Sequence, residues 1–216
     1  RVLRIQPAKV LFLVGRPCSG KTSAIRMITE YLNSIGYDNT EIAIYNDYRK
    51  LYEWFIQDTL QNNFEPGPRG GFRVKNFGIL DDCLREISNS VVNDLPKKQF
   101  VIVEFSRSQY LSAMACFDDQ ILKSCIIYYL QTPLSTCIKR NEGRSHHDSD
   151  DTGFVPPDIL ESYYRNDDVD QLGEKFSDRL VEIDNKQDNI ALLRDKITND
   201  VSKRIGSWLL ESNSPS

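Results

Sequence analysis

A short apolar run that stops at glycine constrains this chain more than any other feature. Lys9 to Val14 reads Lys-Val-Leu-Phe-Leu-Val, and Gly15-Arg16-Pro17-Cys18-Ser19-Gly20-Lys21-Thr22 follows directly. From Lys21 onward apolar residues recur at helical spacing, at Ala24, Ile25, Ile28, Leu32 and Ile35, until Gly36 supplies a C-terminal stop. A run with almost no polar residue leaves no face for water, so it predicts a strand buried on both faces of a parallel sheet. Strand, glycine-bounded loop and amphipathic helix together predict the opening of an α/β fold.

The rest of the chain repeats the alternation. Strands are expected at Glu41 to Tyr45, Phe100 to Phe105, Ser124 to Leu130 and Leu180 to Ile183. Helices are expected over Tyr48 to Leu60, Phe77 to Leu95, Gln109 to Phe117, Pro133 to about Arg140, Pro157 to Tyr164 and Asn189 to Leu210. Between them, Asn62 to Gly71 contains Pro66-Gly67-Pro68-Arg69-Gly70-Gly71 and reads as a loop, and Asn141 to Thr152 is polar and acidic and reads as a solvated loop. Nearly all-apolar strands separated by helices imply a parallel sheet covered on both faces. At 216 residues and 40% hydrophobic content, one domain over residues 1–216 accounts for the chain.

Gly15-x-x-x-x-Gly20-Lys21-Thr22 between a strand and a helix suits the phosphates of a nucleoside triphosphate. Glycines allow the backbone N–H groups of Gly15, Pro17 to Gly20 and their neighbours to close around an anion, proline excepted, and the helix N-terminus adds positive potential. Lys21 is expected to reach the β- and γ-phosphates and Thr22 to hold magnesium, with Cys18, Ser19 and Ser23 completing the cradle. The bland alternative is a glycine-rich turn that binds nothing. Glu104, ending the third strand, stands where an acid would orient magnesium, and Arg107 is placed at the same sheet edge to contact phosphate. A surface salt bridge between Glu104 and Arg107 is the competing reading.

At these residues the chain resembles the P-loop kinases, both the adenylate-kinase-like nucleotide kinases and the polynucleotide kinases, over nearly its whole length. The resemblance implies a P-loop NTPase fold with a five-stranded parallel sheet in the order 2-3-1-4-5, helices on both faces, and a lid over about residues 141–156. Arg140-Asn141-Glu142-Gly143-Arg144 opens that lid, and Arg140 and Arg144 look like the pair that packs on the base and contacts phosphate; an ordinary charged loop is the alternative. Asn46-Asp47-Tyr48-Arg49 resembles the Asp-Asp-Tyr-Arg stretch of polynucleotide kinases, with asparagine at the position of their base. Asp47 is thus either the group that accepts the acceptor's hydroxyl proton or a cap for the next helix. Arg49 would bind acceptor phosphate by the same resemblance. Arg69 and Arg73, within a possible acceptor-binding segment at about 48–95, either clamp an acceptor anion or are solvated. His146 and His147 beside Asp148, Asp150 and Asp151 suggest a metal site less well than a polar lid.

Asn185-Lys186-Gln187-Asp188 matches the guanine-reading Asn-Lys-x-Asp of GTPases, so Asn185 is a candidate donor-base contact. The Asp-x-x-Gly expected of a GTPase after the third strand is missing. A regulatory NTPase that transfers nothing is the rival of another class. The expected activity is transfer of the γ-phosphoryl group from Mg-ATP, with GTP as a second possible donor, to a nucleoside, nucleotide or other small molecule; a polynucleotide 5′-hydroxyl is the alternative acceptor. Lys21, Asp47, Arg107 and Arg144 would carry catalysis. The formal charge of −4 argues against a broad nucleic-acid surface, no apolar run approaches the roughly 18 residues of a membrane span, and five scattered cysteines suit reduced thiols in the cytoplasm.

Overall fold

The computed structural model describes residues 8–144, 153–187 and 189–213. Its elements in chain order are β1 (Lys9–Val14), α1 (Lys21–Ser34), β2 (Ile42–Asn46), α2 (Asp47–Gln57), β3 (Phe64–Pro66), β4 (Phe72–Val74), α3 (Gly78–Asp94) and β5 (Phe100–Phe105). They continue as α4 (Tyr110–Met114), α5 (Asp119–Leu122), β6 (Ile126–Gln131), α6 (Leu134–Glu142), α7 (Pro157–Ser162), α8 (Val169–Phe176), β7 (Leu180–Asp184) and α9 (Ile190–Asn213). The main sheet runs β2-β5-β1-β6-β7 with every pairing parallel. Counted along the chain this is 2-5-1-6-7 rather than 2-3-1-4-5, because a two-stranded antiparallel hairpin, β3 with β4, takes the third and fourth numbers.

Alternation along β1 divides the interior into two cores. Val10, Phe12 and Val14 face a cluster that includes Leu51 of α2, Leu84 and Ile87 of α3, and Leu172 of α8. Leu11 and Leu13 face the other, where α1 supplies Ala24, Ile28 and Leu32 and α9 supplies Leu193, Ile197, Val201 and Ile205 at steps of four. Each buried Val, Leu, Ile or Phe side chain here contributes about 1.5–3 kcal/mol by leaving water. Tyr128 crosses the second core, and its hydroxyl donates to Asp200 at 2.7 Å, which also accepts from Arg204 at 2.7 Å. The phenol is therefore satisfied inside an apolar layer.

The hairpin lies within the segment read as a loop and just beyond it. Its strands are three residues each, and Asp58 orders the approach by accepting from the backbone N–H groups of Asn62, Asn63 and Phe64. Phe72 stacks on Tyr48 at 5.4 Å and on Phe55 at 5.5 Å, so rings rather than strand length hold the hairpin on α2. All five cysteines are free thiols. No helix among the described residues is long and apolar enough to cross a membrane. Residues 145–152, which include His146, His147, Asp148, Asp150 and Asp151, and also Asp188, lie outside the described residues.

Candidate functional site

The carboxyl ends of β1, β2 and β5 meet at one edge of the sheet, the place where open α/β sheets bind ligands. Gly15 leaves β1 at φ 149°, Cys18 adopts φ 66°, and Gly20 caps α1 at φ 102°. A Cβ on Gly15 would stand 2.7 Å from Ser19 Oγ, and one on Gly20 would stand 2.9 Å from Asn185 Nδ2. Both positions combine positive φ with close packing, so side chains there would distort the loop. The Ser19 carbonyl is fixed from two sides, accepting from Thr132 Oγ1 at 3.0 Å and from Asn185 Nδ2 at 2.8 Å. From below the loop Arg16 donates to the Tyr164 carbonyl at 2.8 Å and the Arg165 carbonyl at 2.9 Å, and it lies 3.8 Å from Asp167.

Lys21 is buried, and its Nζ donates to the carbonyls of Gly15 at 3.2 Å and Arg16 at 2.9 Å and to Ser106 Oγ at 2.8 Å. Burial lowers its pKa, with Glu104 and Asp47 opposing that shift. Glu104, buried in turn, accepts from Thr22 Oγ1 at 3.1 Å and from Asn46 Nδ2 at 2.9 Å. Burial raises its pKa while Lys21 holds it down. A hydroxyl and a carboxylate side by side fit magnesium, a hard cation that keeps several waters and takes only one or two carboxylates from a protein. Among the described residues no cluster of three His, Cys, Asp or Glu offers a fuller cage.

Asp47 and Arg107 form a buried ion pair, Nη1 to Oδ2 at 2.5 Å. Burial works most strongly against the Arg107 charge, yet the Asp47 carboxylate, joined by Tyr164 and Cys83, leaves its pKa raised. Arg107 also donates to the carbonyls of Ser106 at 2.7 Å and Leu80 at 2.9 Å. The helix cap expected of Asp47 belongs to Asn46, whose Oδ1 accepts from the Arg49 N–H at 3.1 Å. Nor do Glu104 and Arg107 form the expected alternative surface bridge, since both are buried and each has other partners.

A cavity of about 180 Å³ joins these groups. Pro17, Cys18, Gly20, Lys21, Thr22, Ser23, Asp47, Glu104, Arg107 and Arg144 all line it, as the sequence led us to expect for one site. Arg73 also lines it, but its guanidinium is engaged by Asp158 through two bonds of 2.8 Å. Other candidate residues stand elsewhere. Arg49 stands outside the cavity on the solvent side of α2, 3.9 Å from Glu53. Arg69 clasps the stems of the 141–156 segment, donating to the carbonyls of Glu142 at 2.7 Å and Arg144 at 2.9 Å and lying 4.4 Å over the Phe154 ring. Asn185 spends its amide beneath the phosphate loop, and Arg140 donates to the Cys18 carbonyl at 3.0 Å.

Four contributors had no sequence assignment: Asn46, Ser106, Thr132 and Asn141. Asn141 is 1% exposed, donates to the Val155 carbonyl at 2.7 Å and accepts from the Val155 N–H at 3.0 Å. Nothing in the sequence sets Asn141 apart from its polar neighbours; its burial and its bonds, which satisfy the amide, arise only in the fold.

No family model matches the chain, and no curated protein matches it in sequence. Solved structures do match in fold. Kti12 from Chaetomium thermophilum, solved in complex with ADP-AlF3, superposes with a TM-score of 0.58 at 13% identity, over 90% of this chain and 97% of that one. A gluconokinase from Sinorhizobium meliloti gives 0.53 at 14% identity, over 97% and 100%. A thymidylate kinase from Ehrlichia chaffeensis gives 0.52 at 11% identity, over 91% and 99%. At these identities the likeness establishes the fold alone, one that this chain shares with Kti12, the gluconokinase and the thymidylate kinase.

Proposed function

We propose that the chain is a phosphotransferase that moves the γ-phosphoryl group of Mg-ATP to a hydroxyl of a small-molecule acceptor. The observation that carries this reading is one cavity lined by both the phosphate loop and the Asp47–Arg107 pair. A protein that only holds a nucleotide has no use for a buried ion pair beside Lys21, because such a pair loses much of its attraction to desolvation. Phe154, Val155 and Pro156 also line the cavity, and their apolar surface would favour exclusion of water from the reacting groups.

Each residue then has a role. Backbone N–H groups of the loop receive the β- and γ-phosphates, and Lys21 transfers its donors from carbonyls and Ser106 Oγ to phosphate oxygens, which are stronger acceptors. Thr22 and Glu104 would hold magnesium, whose charge offsets that of the phosphates. Asp47 Oδ1, free of hydrogen-bond donors among the described residues, orients the acceptor hydroxyl and takes its proton. Arg107 fixes the carboxylate through Oδ2, and Arg144 adds positive charge at the cavity wall. Gluconokinase and thymidylate kinase share this fold, so fold alone does not choose the acceptor.

The test is transfer from γ-labelled ATP, with magnesium, to hydroxyl-bearing acceptors. Label on an acceptor is expected. Label released only as free phosphate would replace this reading with a nucleotide hydrolase.

A further inference from the structure

We propose that Asn46 is a positioning residue for magnesium: its amide holds the Glu104 carboxylate from the end of β2 and ties it to the helix that carries Asp47. This rests on the kinase reading above and gives a role to a residue that the reading leaves without one.

The sheet register brings the two side chains together. β2 and β5 run parallel with Asn46 opposite Glu104, and the chain turns into α2 at the next residue. Side chains at paired positions of neighbouring strands leave the sheet on the same face. Asn46 Nδ2 accordingly donates to Glu104 Oε2 at 2.9 Å, while Thr22 Oγ1, arriving from α1, donates to Oε1 at 3.1 Å and lies 3.4 Å from Oε2. Each carboxylate oxygen has a donor, so the group cannot turn about its last bond without stretching one of these contacts.

The amide can stand only one way round. Its Oδ1 accepts from the Arg49 N–H at 3.1 Å. Turned over, it would set an NH2 group against that N–H and a carbonyl oxygen against a carboxylate. Aspartate has the same shape and caps helices as well, but it has no donor to give Glu104 when ionised. Asparagine serves both partners at once.

Glu104 is 7% exposed, and a carboxylate so far out of water needs protein donors. Magnesium tolerates little departure from octahedral placement of its ligands, so a carboxylate held at both oxygens suits it better than one free to turn. Partners that bond to a ligand rather than to the metal change metal affinity by about 10–100-fold when they are removed. Asn46 also caps α2, whose first residue is Asp47. One side chain thus fixes the acid on the magnesium side and the start of the helix that presents the proposed base.

Two substitutions separate these tasks. In Asn46→Ser the hydroxyl oxygen can still cap the Arg49 N–H, since serine caps helices about as well as asparagine, but the side chain ends one bond short of the atom that reaches Glu104. Asn46→Ala removes both contacts. Binding of the imido analogue of ATP to the full chain is measured by calorimetry, in EDTA and with magnesium titrated in, beside a thermal melt of each variant. The wild type is expected to bind the analogue more tightly with magnesium than without. In Asn46→Ser the affinity in EDTA and the melting temperature should match the wild type, while the magnesium concentration that gives half of the enhancement rises about tenfold or more. Asn46→Ala should show the same magnesium defect and a lower melting temperature. In a Glu104→Gln background Asn46→Ser should add nothing, because the carboxylate it positions is gone. An unchanged magnesium requirement in Asn46→Ser, or a rise that persists undiminished in the Glu104→Gln background, overturns the inference and leaves the kinase reading standing. So does an equal loss of affinity with and without magnesium. A wild type that fails to bind the analogue, or binds it without regard to magnesium, overturns both.

Discussion

Asp47 shows how a residue is chosen by its surroundings rather than its type. As the first residue of α2 it stands where aspartate commonly caps, yet Asn46 takes the cap and leaves the carboxylate to Arg107. One oxygen is held at 2.5 Å and the other is left for a hydroxyl. Asp47→Ala would strand a buried guanidinium at a cost of about 3–5 kcal/mol, confusing instability with lost chemistry. Asp47→Asn keeps an acceptor for Arg107 and removes the basic oxygen, so kcat should fall about 100-fold or more with the KM for ATP unchanged. Steady-state kinetics beside a thermal melt check this. An unchanged kcat in a folded variant would remove Asp47 from the mechanism. Sequence spacing put Asp47, Glu104 and Arg107 at one sheet edge, but it could not assign partners: which carboxylate takes the arginine is fixed only when α2 and β5 come together.

Legibility at the scale of elements followed the strength of the periodic signal. β5 matches the expected Phe100 to Phe105 residue for residue, because five apolar residues in a run of six leave few alternatives. The hairpin and α8 had no such signal. β3 and β4 are stabilised by rings contributed by α2, and α8 carries Gly173 in its middle with its buried residues limited to Leu172 and Phe176. Nor was it legible that Arg69 leaves the acceptor site to clasp Glu142 and Arg144, since a contact across 73 residues leaves no local pattern. Asn141 performs a related task from α6, bracketing Val155 with both halves of its amide. Asn141→Ala should cost about 1–3 kcal/mol, because the Val155 N–H and carbonyl lose their partner. Hydrogen exchange is the measurement: the Val155 amide should lose protection while amides in β1 and β5 keep theirs. Equal loss throughout would mean that the bracket supports the whole fold rather than the approach to the cavity.

Across the whole molecule, two cores hold a parallel sheet whose strand ends are free to carry chemistry. α1 and α9 cover one face and α2, α3 and α8 the other, so the strand ends at one edge are left to loops. That division also bears on what a sequence can suggest, since a candidate phosphate loop is a local pattern and a cavity wall is not. The candidate loop is eight consecutive residues, whereas Tyr48, Phe72, Phe77 and Tyr163, which line the cavity, lie far apart in the chain and meet only after folding. The account turns on Lys21, the group that joins loop, Ser106 and the transferring phosphoryl. The most direct measurement is phosphoryl transfer from γ-labelled Mg-ATP by the wild-type chain and by Lys21→Ala, with thermal unfolding recorded on both. Transfer by the wild type, and a loss of about 100-fold or more in a variant that still unfolds cooperatively, is the predicted result. Equal transfer by the two would contradict the account, because the phosphate loop would then have no part in the chemistry.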